Sequence, residues 1–238
     1  MSQIDLKKAE YYSNADIVEN YDSRRFMRGG GRYVADKEVE IISTLLTYAG
    51  IQSGGVALDC PTGTGRFIPI LKKYGVTVLA SDISEAMLAH AARFKADKYL
   101  RKSAENLGLK DGSVDVWLMS RFCFHFDDPS PFLKEASRVL KENGFLIADF
   151  YNWTPRSWIP GKQSWLGGRT YLHSKSAVSE MAAENGFSIV EAIPVFAVAP
   201  YLYGFTPSIV PIAIESLSNF FLSGLKTKTY YLLKKVNK

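Results

Sequence analysis

Cysteine is scarce in this 238-residue chain. Only Cys60 and Cys123 occur, in different segments and without CxxC or Cys/His spacing, so no structural metal is expected and a reducing, cytoplasmic setting is the simplest one. Long apolar runs are absent as well. No uncharged apolar run reaches the ~18 residues of a membrane span, and the polar opening Met1 to Glu10 lacks the apolar core of an export signal. Nor does charge of one sign dominate. The net +5 resides in the last thirteen residues, Lys226 to Lys238, which hold five lysines and no acid; without them basic and acidic residues balance at 24 each. With no RNA-binding motif elsewhere, such a tail is expected to be a solvated terminus rather than a nucleic-acid surface. Repeats and low-complexity segments are missing too. Apolar residues at 47% and charged residues at 22% belong to an ordinary globular chain able to bury one core, and the length suits a single α/β domain.

What the chain does contain is an alternation of short β-rich runs with one-sided helical stretches from Gly54 to Phe150, the pattern of parallel strands joined by crossover helices. Strands are expected at Val56 to Asp59, Val76 to Ala80, Val114 to Met119 and Phe145 to Phe150. Helices are expected at Gly65 to Tyr74, Ser84 to Lys95 and Pro129 to Lys141, the last ended by Asn143-Gly144. Ahead of this core, an amphipathic helix over Asp36 to Tyr48 follows a glycine-rich turn at Gly29-Gly30-Gly31, and the first twenty residues read as a further helix. Beyond it, Tyr151 to Tyr171 carries three tryptophans without periodicity and reads as an ordered loop over the sheet's edge. Ser174 caps a helix that Gly186 stops, Phe187 to Val198 is a strand, Ile209 to Leu222 a helix, and Thr229 to Val236 a last strand able to pair antiparallel with its predecessor.

The strongest motif is Val56-Ala57-Leu58-Asp59-Cys60-Pro61-Thr62-Gly63-Thr64-Gly65-Arg66-Phe67, a strand that breaks into a glycine loop and opens a helix. Glycines let backbone approach a ligand, and a helix start offers unpaired N–H groups. A dinucleotide fingerprint would need a third glycine where Ile68 stands, and a phosphate loop would need Lys followed by Ser or Thr where Arg66-Phe67 stands. What remains is a resemblance to the cofactor loop of class I S-adenosylmethionine-dependent methyltransferases, of the small-molecule, type 11-like kind. The resemblance implies Asp59 beside the methionine amino group and Gly63 and Gly65 beneath the cofactor. Pro61 departs from the family's first glycine and removes an N–H at that turn.

Three further stretches resemble the same family. In Ser81-Asp82-Ile83-Ser84-Glu85-Ala86-Met87-Leu88, Asp82 ends a strand where a carboxylate can accept both ribose hydroxyls, flanked by Ile83 and Met87; the alternative for Asp82 is an N-cap. Ser103-Ala104-Glu105 resembles the adenine-contacting turn, with Ser103 in place of the family's aspartate. Ser120-Arg121-Phe122-Cys123-Phe124-His125 follows the fourth strand and resembles the stretch beneath the sulfonium, so Ser120 and Arg121 belong to the cofactor side and His125 is the candidate general base, its alternative role being structural. At the front, Tyr21-Asp22-Ser23-Arg24-Arg25-Phe26 resembles the family's N-terminal lid, with Tyr21 and Arg25 toward the cofactor; the alternative is a solvated helix end.

The resemblance implies a doubly wound, Rossmann-like α/β sheet of seven mostly parallel strands in the order 3-2-1-4-5-7-6, the seventh antiparallel, with an N-terminal helical lid (1–35), a cofactor core (36–150) and an acceptor side (151–238) that inserts a helix between the last two strands. It implies S-adenosylmethionine as cofactor, S-adenosylhomocysteine as product, and methyl transfer by in-line displacement to a small acceptor; the apolar insert makes a lipid-like acceptor the leading expectation, and no metal is expected. No Asn-Pro-Pro-Tyr motif follows the fourth strand, which disfavours nucleic-acid bases as acceptors. The apolar residues Ile209, Ile212, Ile214, Leu217, Phe220 and Phe221 are expected to pack on the core in preference to a peripheral membrane contact. Two rival readings stay open at this point: a nicotinamide-dependent oxidoreductase, and a non-catalytic S-adenosylmethionine-binding regulatory protein.

Overall fold

The computed structural model of the chain describes residues 18–19, 21–27, 29–154, 170–221 and 226–236. In chain order the elements are α1 (Tyr21–Phe26), α2 (Gly29–Tyr48), β1 (Val56–Asp59), α3 (Ile68–Lys72), β2 (Thr77–Ser81), α4 (Glu85–Ala91), β3 (Lys98–Leu100), β4 (Val114–Met119), α5 (Ser130–Val139), β5 (Leu140–Tyr151), α6 (Lys175–Glu184), β6 (Phe187–Val195), α7 (Pro200–Tyr203), α8 (Ile209–Phe221) and β7 (Lys228–Lys235). The strands form one sheet in the order β3-β2-β1-β4-β5-β7-β6. Neighbours from β3 to β5 are parallel, and β7 runs antiparallel to both β5 and β6. The order and the reversed last strand agree with the expectation.

Side chains of a strand alternate between faces, and here both faces are covered. Ala57, Val116, Leu118 and Ile147 pack with Ile42, Leu45, Leu46 and Ile68 on the side of α2 and α3. Leu58, Trp117, Met119, Leu146 and Ala148 pack with Leu133, Ala136 and Val178 on the side of α5 and α6. The chain therefore leaves β1 toward one face and β4 toward the other. At such a switch of strand order a crevice opens at the strands' C-terminal ends, and that crevice positions the site.

Several boundaries differ from the sequence pattern, each for a tertiary reason. Gly29-Gly30-Gly31 is the first turn of α2 rather than a loop before it. A Cβ on Gly30 would lie 2.3 Å from the Tyr203 carbonyl oxygen, and one on Gly31 2.3 Å from that of Arg25, so these glycines permit close approach to α7 and α1. Asn143-Gly144 does not end α5, which stops at Val139. Asn143 takes φ 61° inside β5, where pairing jumps from Val114↔Leu140 to Val116↔Phe145, a bulge in the strand. The helix expected from Gly65 starts at Ile68, and the strand expected to reach Val198 ends at Val195.

The insert also departs from expectation. Ile209, Ile212 and Leu217 of α8 are exposed, because the buried side of this helix carries Glu215, which accepts hydrogen bonds from Tyr203 Oη and the Ala197 N–H (both 2.6 Å) and pairs with Lys226 at 2.8 Å. Among the described residues no helix is long and apolar enough to cross a membrane. The helix expected near the start of the chain, most of the tryptophan-rich loop, and the Phe220 and Phe221 side chains lie outside the described residues.

Candidate active site

Tyr21, Arg25, Pro61, Gly63, Asp82, Ile83, Met87, Ser103, Ala104, Glu105, Ser120, Arg121 and His125 all line one cavity of about 250 Å³ at the C-terminal ends of β1, β2 and β4. Asp59 and Gly65 stand behind its wall. The glycine loop is anchored on both sides. The Thr62 N–H donates to the Ser81 carbonyl at 2.8 Å, and Trp117 of β4 donates from its ring nitrogen to the Cys60 carbonyl at 2.7 Å. Gly63 takes φ 52°, and a Cβ added there would meet nothing within 4 Å, so this position borders open space. Gly65, at φ 80°, turns the other way, where a Cβ would meet Ala91 Cβ at 2.7 Å; it seats the loop on α4.

Asp82 is buried, yet it reaches the cavity. Its Oδ2 accepts the Gly63 N–H and its Oδ1 the Ser84 N–H, each at 2.9 Å. The helix cap is Ser84, whose hydroxyl accepts the Met87 N–H at 3.2 Å, so Asp82 is not the cap. Burial raises its carboxyl, opposed by the N–H groups of Ser84, Gly63 and Ile83. A carboxylate offers about four acceptor directions, and further donors can approach from the cavity. Across from it, the turn at Ser103 is closed by the Glu105 N–H on the Ser103 hydroxyl at 3.3 Å and the Asn106 N–H on its carbonyl at 3.0 Å.

Asp59 accepts the Thr62 hydroxyl at 2.6 Å, and burial, reinforced by the charge of Asp82, pushes its carboxyl up to about 7. An acid raised in this way favours the folded chain fully below its ordinary 3.8 and loses that contribution as pH rises through about 7. Asp59→Asn is therefore expected to flatten the decline in stability between pH 5 and pH 8, measured by denaturant titration at both values. An unchanged decline would place the pH dependence elsewhere.

The front helix α1 closes one side of the cavity. Asp22 accepts the Thr64 hydroxyl at 2.8 Å and pairs with Arg93 at 2.8 Å, which ties α1 to the glycine loop and to the turn after α4. Arg25 donates to Tyr21 Oη at 3.2 Å. His125 sits in a single 3₁₀ turn, Cys123–His125, with its ring 4.3 Å from that of Phe124. Phe122 meets Phe126 and Phe132 edge-on and those two are tilted against each other, with centroids 4.5 to 4.9 Å apart.

Sequence reasoning missed the buried charges beneath this cavity. Glu38 of α2 is fully buried and is paired with Arg66, with Arg121 at 3.2 Å and with Lys228 at 3.0 Å. Lys228 also meets Asp149 at 2.9 Å and donates to Tyr230 Oη at 2.9 Å, and the Arg121 N–H donates to Asp149. The Phe26 ring lies 4.0 Å from the Arg66 guanidinium and 5.2 Å from that of Arg121. Burial alone would raise the Glu38 carboxyl, but the charges of Lys228, Arg121 and Arg66 hold it well below the usual carboxylate range. A signal for Glu38 was present: it shares a helical face with Val34, Ile41, Ile42 and Leu45, where an acid is out of place. Among the described residues no group of three or more His, Cys, Asp or Glu side chains could hold a metal ion.

A methyltransferase-domain family profile matches residues 58–148. A malonyl-[acyl-carrier protein] O-methyltransferase of Pectobacterium atrosepticum is 33% identical over 138 residues, which cover 55% of this chain and 54% of the relative. An uncharacterised protein of Methanocaldococcus jannaschii is 31% identical over 144 residues, covering 58% of this chain and 67% of that protein. The chain thus spans little more than half the length of the first of these curated relatives. Among solved structures, magnesium protoporphyrin IX methyltransferase from Synechocystis with bound SAH superposes with a TM-score of 0.70 at 16% identity, covering 98% of this chain and 100% of that one.

Proposed function

This chain belongs to the class I S-adenosylmethionine-dependent methyltransferases, and from that premise we propose that it binds S-adenosylmethionine in the crevice over β1 and β2 and transfers the methyl group to a small-molecule acceptor bound toward β4 and β5. The observation that carries the reading is the convergence on one cavity of Gly63, Asp82 and the Ser103–Glu105 turn, three segments that parallel strands β1, β2 and β3 deliver to the same edge. The residues fit such a nucleoside. The open space over Gly63 would be filled by any Cβ, and Asp82 keeps acceptor capacity toward it.

In this reading Asp82 holds the sugar hydroxyls, Ser103 and Ala104 the base edge, Ile83 and Met87 its faces, and Tyr21 and Arg25 the amino-acid end, with Asp59 stiffening the loop through Thr62. The cofactor supplies an activated methyl group on sulfur. The protein's work is then alignment and exclusion of water. Pinned by Asp22, α1 shields the glycine loop, and the phenylalanine cluster supplies an apolar wall for a lipophilic acceptor. His125 stands at the cavity, where it can take a proton from a neutral acceptor; an acceptor that arrives as an anion needs no base. The named curated relative is an O-methyltransferase, so an oxygen acceptor is the first to try.

Calorimetric titration tests the reading: S-adenosylhomocysteine is expected to saturate one site per chain while NADH gives no uptake. NADH binding with no response to S-adenosylhomocysteine would favour an oxidoreductase.

A further inference from the structure

Five charged side chains of Glu38, Arg66, Arg121, Asp149 and Lys228 meet under the cavity, three basic and two acidic. Glu38, Asp149 and Lys228 are withdrawn from solvent, and the Arg66 and Arg121 side chains are only 16% and 19% exposed. The pairs within the group leave one positive charge over. Among the described residues nearby groups do not cancel it in full. The Tyr151 and Tyr230 phenols are raised by burial and stay neutral, Asp22 is engaged by Arg93 and Thr64, and the Asp59 carboxyl, raised by burial so that it is only partly ionised, has its Oδ2 taken by Thr62. Leaving a net charge in a low-dielectric site is costly unless a counter-ion arrives.

Among the described residues the cavity side is the one open to it. Arg66 and Arg121 line the cavity, whereas Lys228 lies behind Tyr151, 5.9 Å from its ring. The Arg66 Nη1 is buried and has no hydrogen-bond partner among the described residues. Arg121 follows the end of β4, Asp149 and Lys228 belong to β5 and β7, and Arg66 follows the glycine loop after β1, so the surplus charge lies between that loop and the half of the sheet away from the Ser103 turn.

We propose that Arg66 and Arg121 form a carboxylate subsite, and that the methyl acceptor is an acyl compound bound there as its carboxylate, with its apolar part against Phe122, Phe124 and Phe126. The subsite rests on the cofactor reading above. A lone pair on the acceptor oxygen forms the bond to the methyl carbon as the carbon–sulfur bond breaks, its electron pair staying on sulfur. The carboxylate and the sulfonium lose their charges together, a methyl ester and a thioether result, and no proton moves. Burial of both charges favours this pairing over a neutral acceptor, because opposite charges attract more strongly where water is excluded. His125 is then a wall residue and not a base.

The test titrates full-length protein saturated with S-adenosylhomocysteine with octanoate and with octanamide, a neutral molecule of nearly the same shape. Octanoate is expected to bind at least about tenfold more tightly, the difference a charge-assisted bond makes, and equal affinity for the two would overturn the subsite. Arg66→Gln is expected to remove the preference and Arg66→Lys to restore part of it. The remaining source of a carboxylate is the cofactor's own amino-acid end. If Arg66→Gln instead weakens S-adenosylhomocysteine but not 5′-methylthioadenosine, which lacks that end, Arg66 serves the cofactor and the proposal fails. Failure of S-adenosylhomocysteine to bind the unaltered protein would sink the cofactor reading itself, so the two failures are told apart. The octanoate–octanamide comparison needs no variant and stands even if Arg66→Gln does not fold.

Discussion

Asp82→Ala is expected to weaken binding of S-adenosylhomocysteine about a hundredfold. Two sugar hydroxyls donating to one carboxylate make charge-assisted bonds of roughly 1.5 kcal/mol or more each, and about 3 kcal/mol corresponds to two decades of affinity. The same carboxylate holds the Gly63 and Ser84 N–H groups, so alanine also loosens the loop on which the ligand would lie. Asp82→Asn separates the two effects. It keeps the shape and one acceptor oxygen, and a loss of about tenfold is expected from it. The measurement is calorimetric titration, run beside a melting curve for each variant. Undiminished affinity in a folded Asp82→Ala protein would remove Asp82 from the nucleoside site.

The second large effect concerns Glu38. Removing one partner of a buried ionic group leaves the others uncompensated, at a cost of about 3–5 kcal/mol. Glu38→Gln leaves Arg66, Arg121 and Lys228 with Asp149 as their one remaining carboxylate in the network, so destabilisation in that range is expected, or a fall in melting temperature of roughly 10 °C for a chain of this size. Adding Lys228→Met should recover part of the loss, since it takes away a cation that Glu38 had balanced at 3.0 Å. Denaturant titration of the single and double variants measures both. A Glu38→Gln protein within 1 kcal/mol of the unaltered chain would mean that water or another acid reaches the network.

How much of the fold and the site is legible in the sequence depends on how local each signal is. The strand, glycine loop and helix from Val56 to Leu71 and the acid at Asp82 are written in consecutive residues whose backbone requirements are short-range, and the cavity gathers most of the residues those motifs suggested. The last strand's direction followed from its place after a strand and a helical insert. Close approach between distant segments left no such trace. Gly30 and Gly31 look like a turn because glycine does, and only the arrival of α7 and α1 explains them. Asn143-Gly144 has the composition of a helix stop but lies in a strand bulge whose partner is β4. The apolar stripe of α8 suggested packing, yet Glu215 takes the buried side because Tyr203 and Lys226 come to meet it.

The charged network was hidden for a related reason. Glu38, Asp149 and Lys228 belong to three elements far apart in the chain, and although Glu38 is out of place on an apolar helical face, nothing in the sequence brings the three together. Asp149 stood inside an expected strand, and Lys228 fell one residue short of the last strand's expected start, although its alternation with Tyr230 and Leu232 points it inward. The fold brings them under Arg121, whose φ of 59° turns the chain at the end of β4. A site assembled in this way is seen only once the sheet order is known.

The account depends above all on a nucleoside lying over Gly63 with its sugar against Asp82. Titration of the unaltered protein with S-adenosylhomocysteine reaches that claim most directly: saturation at one molecule per chain, accompanied by a rise in melting temperature and by no response to NADH, is the predicted result. A flat titration with the protein demonstrably folded, or equal uptake by the Asp82→Ala variant, would contradict it.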